Sequence, residues 1–209
     1  MCASPETVSL RIGERDFTIH KTLLCLFSRY YAAALNGIYK ESSDGLKPIE
    51  GSSASARLGE ELTTWLYSGR LTSMEDLPFL YILADRYEFS ALRRDILAAL
   101  RRSYKTENSC PPYDVVNTAF EDLPTTSALC RLYVDRYVEH WDPGFDDKDE
   151  AEKRATLHQD FLQNVLVRSA LVRARKDRKA CRCCSDAGVD VYFEDEDKLH
   201  GSGGAGNQS

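Results

Sequence analysis

The chain has 209 residues, a formal net charge of −6, 43% hydrophobic residues and 29% charged residues. That size suits one medium domain with an extension, or two small domains, of ordinary globular composition. The acidic balance disfavours nucleic acid as a partner, because duplex binding needs cations that displace phosphate counterions.

Val8, Leu10 and Ile12 alternate with Ser9 and Arg11, the period-2 pattern of a half-buried strand. Gly13-Glu14 supplies a turn, and Phe17 and Ile19 alternate with Asp16 and Thr18, which predicts a second strand and a hairpin. KTLLCLFSRYYAAAL loses the alternation and reads as a helix broken near Ser28, with a stop at Asn36-Gly37. ESSDGLKPIEGSSASARLGE is rich in Ser, Gly and Pro, so it is expected to be mostly loop with a short strand around Leu46 to Ile49.

Helical spacing returns at Leu58, Leu62, Trp65 and Leu66 and ends at Ser68-Gly69. Leu77, Leu80, Tyr81, Ala84 and Tyr87 mark another helix, and Phe89, Leu92, Ile96 and Leu100 a third. Pro111-Pro112 is a boundary, because proline blocks a continuing helix. Helices near 113–121 and 126–140 follow, the second with Leu129, Leu132, Tyr133 and Tyr137 on one face. Phe161, Leu162, Val165, Leu166 and Val172 predict a last amphipathic helix, which runs into the basic RARKDRKACRCC. Strands first and helices afterwards define an α+β protein with an all-helical extension.

This order, with its motifs, resembles the BTB/POZ family, especially its single-domain fungal-type members. Phe17, Ile19, His20, Lys21 and Leu24 are similar to the family's F-x-x-H-K-x-x-L passage from strand to helix. Ser28, Tyr30 and Tyr31 follow its S-x-F/Y-F/Y element, and Tyr39, Lys40, Glu41 and Ser42 its F-K-E-S element. Trp65, Leu66, Tyr67, Ser68, Gly69 and Leu71 follow W-L-Y-T-G-x-L, and residues 80–92 follow L-Y-x-L-A-D-x-Y-x-x-x-x-L. Five elements in order are specific where each alone is not.

The resemblance implies a small sheet capped by a helical cluster, followed by an all-α extension and a disordered tail. The expected divisions are an interaction domain at 6–101, a helical extension at 110–141 and an acidic linker at 142–153. An amphipathic and basic helix at 154–184 and a disordered acidic, Gly/Ser-rich tail at 185–209 complete the chain. Phe17, His20, Lys21, Trp65, Tyr67 and Gly69 are then structural: His20 fixes the strand-to-helix junction, Trp65 anchors the core and Gly69 closes a helix.

The implied function is protein–protein interaction, without catalysis and without a cofactor. Tyr39, Lys40 and Glu41 correspond to the loop through which cullin-recruiting BTB proteins contact a cullin scaffold, so a substrate adaptor for a cullin-type ubiquitin ligase is the sharper expectation. The bland alternative is that Tyr39 caps the core. Glu6-Thr7 replaces the family's frequent Asp, and GSSASARLGE replaces its usual strand and acidic-proline loop. The N-terminal helix and strand of domain-swapped dimers are missing, which leaves homodimerisation open.

Cys181, Cys183 and Cys184 form a C-x-C-C cluster. A closed zinc site needs four ligands, and the only later histidine is His200, so the expectation is no metal, with these three cysteines as the alternative. The remaining cysteines, Cys2, Cys25, Cys110 and Cys130, are scattered, which points to reduced thiols in the cytoplasm and/or nucleus. The N-terminus has no basic-then-apolar signal, and no apolar run approaches the ~18 residues of a membrane span. Arg173, Arg175, Lys176, Arg178, Lys179 and Arg182 make the 168–182 segment basic. The rival reading is a nuclear, transcription-associated regulator that uses it; the plain one is a solvated helix end. Gly201, Gly203 and Gly206 match G-x-G-x-x-G by letter, but a dinucleotide fingerprint needs a strand before it and a helix after it, so none is expected here. None of His20, His140, His158 and His200 stands in a recognisable nucleophile motif.

Overall fold

The N-terminal alternation folds as a hairpin. The computed structural model describes residues 6–36, 46–49, 55–146, 148–174, 181–185 and 188–193. Strands β1 (Thr7–Ile12) and β2 (Arg15–His20) pair antiparallel with Leu10 opposite Phe17, and Gly13 takes the left-handed φ of 59° that the two-residue turn requires. Leu10, Ile12, Phe17 and Ile19 are buried, as the alternation predicts. The short strand expected at 46–49 is reduced to a single parallel bridge: the Ile49 N–H donates to the Arg11 carbonyl at 2.8 Å, and the Gly13 N–H donates to the Ile49 carbonyl at 3.1 Å.

The helix that follows is broken where expected. Helices α1 (Lys21–Phe27) and α2 (Arg29–Asn36) meet at Ser28, whose Oγ accepts from the Tyr31 N–H at 3.0 Å and donates to the Tyr87 carbonyl at 2.6 Å. One hydroxyl thus caps α2 and fastens it to a distant segment. Tyr31 also stacks on Tyr87, with ring centroids 5.7 Å apart.

Helix α3 (Ala56–Ser68) starts earlier than the Ser/Gly-rich composition predicts. Ser55 is its N-cap, with Oγ accepting from the Leu58 N–H at 3.4 Å. The last residues of GSSASARLGE are therefore a helix N-terminus, because one serine cap and the Leu58, Leu62, Trp65, Leu66 stripe outweigh the local loop composition. Gly59 lies against the Phe17 ring so closely that an added Cβ would meet Phe17 at 2.2 Å. Gly69 closes α3 with φ 65°, donating to the Trp65 carbonyl at 2.8 Å. Helix α4 (Leu77–Arg86) buries nearly every residue through Ala84, and α5 (Ser90–Glu107) follows.

The chain divides into two compact units, Met1–Ile96 and Leu97–Ser209, with the division inside α5. The first is the small sheet with its helices, so the α+β class holds. The second is helical in its described residues: α6 (Tyr113–Asp122), α7 (Ala128–His140), α8 (Lys148–Lys153) and α9 (Gln159–Ala174), with single 3-10 turns at Pro143–Phe145, Arg154–Thr156 and Val189–Val191. Helices α6 and α7 fall within two residues of their expected bounds.

Three expectations for the second unit need correction. The stretch 142–153 is not an open linker. It contains α8, Asp146 accepts from the Tyr113 hydroxyl at 2.9 Å, and Glu150 accepts from the Tyr113 N–H at 3.3 Å. The helix placed at 154–184 ends, in the described residues, at Ala174, and 181–185 is a turn in which the Cys184 and Ser185 N–H groups share the Cys181 carbonyl at 3.1 and 2.9 Å. The tail placed at 185–209 begins with a packed segment, since Tyr192 and Phe193 are buried. Residues 194–209 lie outside the described residues.

Helix α9 also turns a different face inward. Leu162 and Leu166 are 49% and 72% exposed, while the inward stripe is Phe161, Val165, Arg168 and Val172. Phe161 fixes that rotation by packing edge-on against Phe120 and Tyr137, at 5.4 and 5.1 Å between centroids. Arg168 joins the stripe because Asp135 accepts from its Nε at 2.6 Å. An apolar count could not anticipate an arginine on the buried side.

Candidate functional site

Two places concentrate polar side chains, one in each unit. In the first, β2 hands over to α1 at His20. The Tyr67 hydroxyl accepts from the His20 N–H at 3.1 Å and lies 2.6 Å from His20 Nδ1. One phenol thus ties both the backbone and the ring of His20 to α3. His20 at the junction is held by a tyrosine from α3. The Lys21 N–H donates to the Glu6 carbonyl at 3.0 Å and its Nζ pairs with Glu6 at 3.2 Å, so Glu6-Thr7 still ties the first strand to α1. Trp65 is buried, and its Nε1 donates to Asp95 at 2.9 Å. Buried Glu61 accepts from the Thr72 N–H at 3.1 Å and from the Thr72 hydroxyl. Phe17, His20, Lys21, Trp65, Tyr67 and Gly69 each make contacts within this unit. Tyr39, Lys40 and Glu41 lie outside the described residues.

The second place is built from three stretches that are far apart in sequence. Helix α7 ends in Asp135, Arg136 and His140. The turn at 181–185 brings Cys181, Cys183 and Cys184, and the segment at 188–193 brings Tyr192. Buried Asp135 accepts from Arg168 at 2.6 Å and from the Tyr192 hydroxyl at 3.0 Å. Arg182 stands 3.9 Å from the same carboxylate and 4.9 Å above the Tyr192 ring. Of the basic 168–182 segment, Arg168 and Arg182 are therefore directed at protein partners, while 175–180 lie outside the described residues.

Beside this pair stands a nitrogen and sulfur cluster. His140 Nε2 is 3.2 Å from Cys181 Sγ and 3.3 Å from Cys184 Sγ. Cys183 Sγ is 3.6 Å from Cys181 Sγ and 3.9 Å from Cys184 Sγ. All four atoms lie within 4.8 Å of one another. Burial pushes the Cys183 and Cys181 thiols above their ordinary range. Burial, and then the neighbouring Arg136 cation, holds the His140 imidazole below its ordinary value. Sequence reasoning found the three cysteines and missed His140, because the fourth donor was sought only downstream. His140 precedes the cluster by 41 residues, and the folding of α7 brings it there. Asp135 and Arg136 carried no motif at all.

A pocket of about 580 Å³ opens next to His140, lined by Tyr113, Tyr137 and Trp141 with Glu107, Asp146 and Glu150. Trp141 Nε1 donates to the Tyr113 hydroxyl at 2.8 Å, and burial followed by the Asp146 carboxylate raises that phenol to about 12. An acidic, aromatic wall attracts cations. Arg154 already uses part of it, 5.8 Å from the Trp141 ring and 3.0 Å from Asp146.

A hairpin-and-helix unit whose motif residues are spent on its own architecture defines an α+β module with its distinguishing elements between Thr7 and the end of α5. Residues 4–104 match the family model of the BTB/POZ domain. BTB/POZ domains are protein–protein interaction modules. No curated protein matches the chain. No helix among the described residues is long and apolar enough to cross a membrane.

Proposed function

We propose that the chain is an adaptor whose BTB/POZ domain recruits a cullin-type scaffold, in the cytoplasm, the nucleus or both, and presents a second protein for ubiquitination. The observation that carries this reading is the family match over residues 4–104. The segment holding Tyr39, Lys40 and Glu41 is bracketed by α2, which ends at Asn36, and by the Ile49 bridge to the hairpin. Both ends of a contact loop there would be held by the core. An aromatic anchor beside a carboxylate is hot-spot chemistry for docking.

The test is capture of a cullin N-terminal domain by the full chain and by the Tyr39→Ala, Glu41→Ala double variant. Loss of two hot-spot side chains should weaken binding by tenfold or more, at about 1–2 kcal/mol each. The melting transition should not move. Equal capture by both proteins overturns the cullin reading and leaves the interaction domain intact.

A further inference from the structure

We propose that His140, Cys181, Cys183 and Cys184 bind one Zn²⁺ as a closed Cys₃His structural site that staples the segment after α9 to the end of α7. The first argument is distance. Zinc bonds of about 2.3 Å to sulfur and about 2.0–2.1 Å to nitrogen place tetrahedral ligand atoms about 3.8 Å (S to S) and about 3.6 Å (S to N) apart. The observed separations are 3.6 and 3.9 Å between sulfurs and 3.2 and 3.3 Å from nitrogen to sulfur. They surround a centre of the right size, and they are far too long for a disulfide, whose sulfurs stand about 2.05 Å apart.

The second argument is charge. Arg136 is 1% exposed, and among the described residues no carboxylate comes within 4 Å of its guanidinium. Its Nη2 donates to the carbonyls of Tyr104 and Ser109 at 3.0 and 2.6 Å, and its Nη1 donates to Cys184 Sγ at 3.3 Å. A cation held out of water with only two carbonyls and a neutral thiol is costly. Zinc with three thiolates and a neutral imidazole carries a net charge of −1, located where Nη1 points. Loading releases the three thiol protons to solvent and creates the counter-charge that Arg136 lacks. A guanidinium that donates to a zinc-bound sulfur is an outer-shell support of the usual kind.

The third argument is the turn. The shared acceptance of two N–H groups by the Cys181 carbonyl curls 181–185 tightly enough for three sulfurs to converge from five residues. Adjacent ligands at Cys183 and Cys184 depart from the paired C-x₂₋₄-C spacing, and this turn is what makes the departure workable. The site does not depend on the adaptor reading, because it lies wholly in the second unit.

The test is elemental analysis of the full chain purified under reducing conditions with zinc supplied. One zinc per chain is expected, retained by Cys25→Ser and lost by the Cys181→Ser, Cys184→Ser double variant and by His140→Ala. Cobalt exchanged into the wild-type protein should give the intense visible bands of a tetrahedral thiolate site, which decides the matter even where a variant fails to fold. Metal-free folded protein, metal retained by the double variant, a pale octahedral cobalt spectrum, or a disulfide among these cysteines would each overturn the site.

Discussion

The two units are stabilised by different means. In the first, β1, β2 and α1 to α4 meet through apolar side chains, and the polar groups serve as local fasteners: Ser28 between helices, Ser55 and Gly69 at the ends of α3, Tyr67 on His20. In the second, an apolar core around Val116, Phe120, Leu129, Leu132 and Phe161 is joined by a buried ionic cluster. Asp135 gathers Arg168, Arg182 and Tyr192, and Arg136 lies buried beside three thiols and an imidazole. Apolar packing tolerates small losses residue by residue, whereas a buried ionic cluster stands or falls with its charge balance. The second unit should therefore be the more sensitive to single substitutions that alter charge.

The largest effect is expected from Asp135→Ala. It leaves Arg168 and Arg182 without their carboxylate and Tyr192 without its acceptor, and breaking a buried pair in this way costs about 3–5 kcal/mol. Urea denaturation should report that loss, with amide exchange rising first at 188–193. A loss under about 1 kcal/mol would mean that the cluster is not what holds the second unit together. A smaller effect is expected from Gly59→Ala, which places a methyl group inside the Phe17 ring. The ring must move, at about 1–3 kcal/mol for overpacking. Unchanged stability would show that the contact between hairpin and α3 is looser than its distances imply. Smallest is Tyr67→Phe, which removes the hydroxyl serving the His20 N–H and Nδ1 and should cost about 1 kcal/mol. The His20 ring resonances should shift in NMR spectra as the 2.6 Å contact is lost, and an unchanged ring would contradict that contact.

The same contrast explains what could be read from the sequence. The hairpin, the break at Ser28, the stop at Gly69 and the helices through Leu100 each announce themselves within a few residues, by period, by cap or by proline. Trp65, on the helical stripe of α3, is legible as a core position for the same reason. The second unit hides its logic because its partners are separated: His140 from Cys181, Asp135 from Tyr192. No local period encodes such meetings. The acidic stretch at 142–153 looked like a linker because charge usually means solvent, yet Asp146 and Glu150 are spent on Tyr113. Helix α9 is shorter than the expected 154–184 and is rotated, because the apolar pattern assigns Leu162 and Leu166 to the core and has no place for Arg168 there.

Ser28 has a consequence for how this fold can drift over time. Its oxygen serves a donor in α2 and an acceptor at Tyr87 at once. A replacement must both give and take a hydrogen bond at that backbone position, which leaves threonine as the near substitute and excludes alanine and valine. The serine is thus set by the internal accounting of hydrogen bonds, whatever the domain binds. Its recurrence in another chain would mark shared architecture and carry no news of a shared partner.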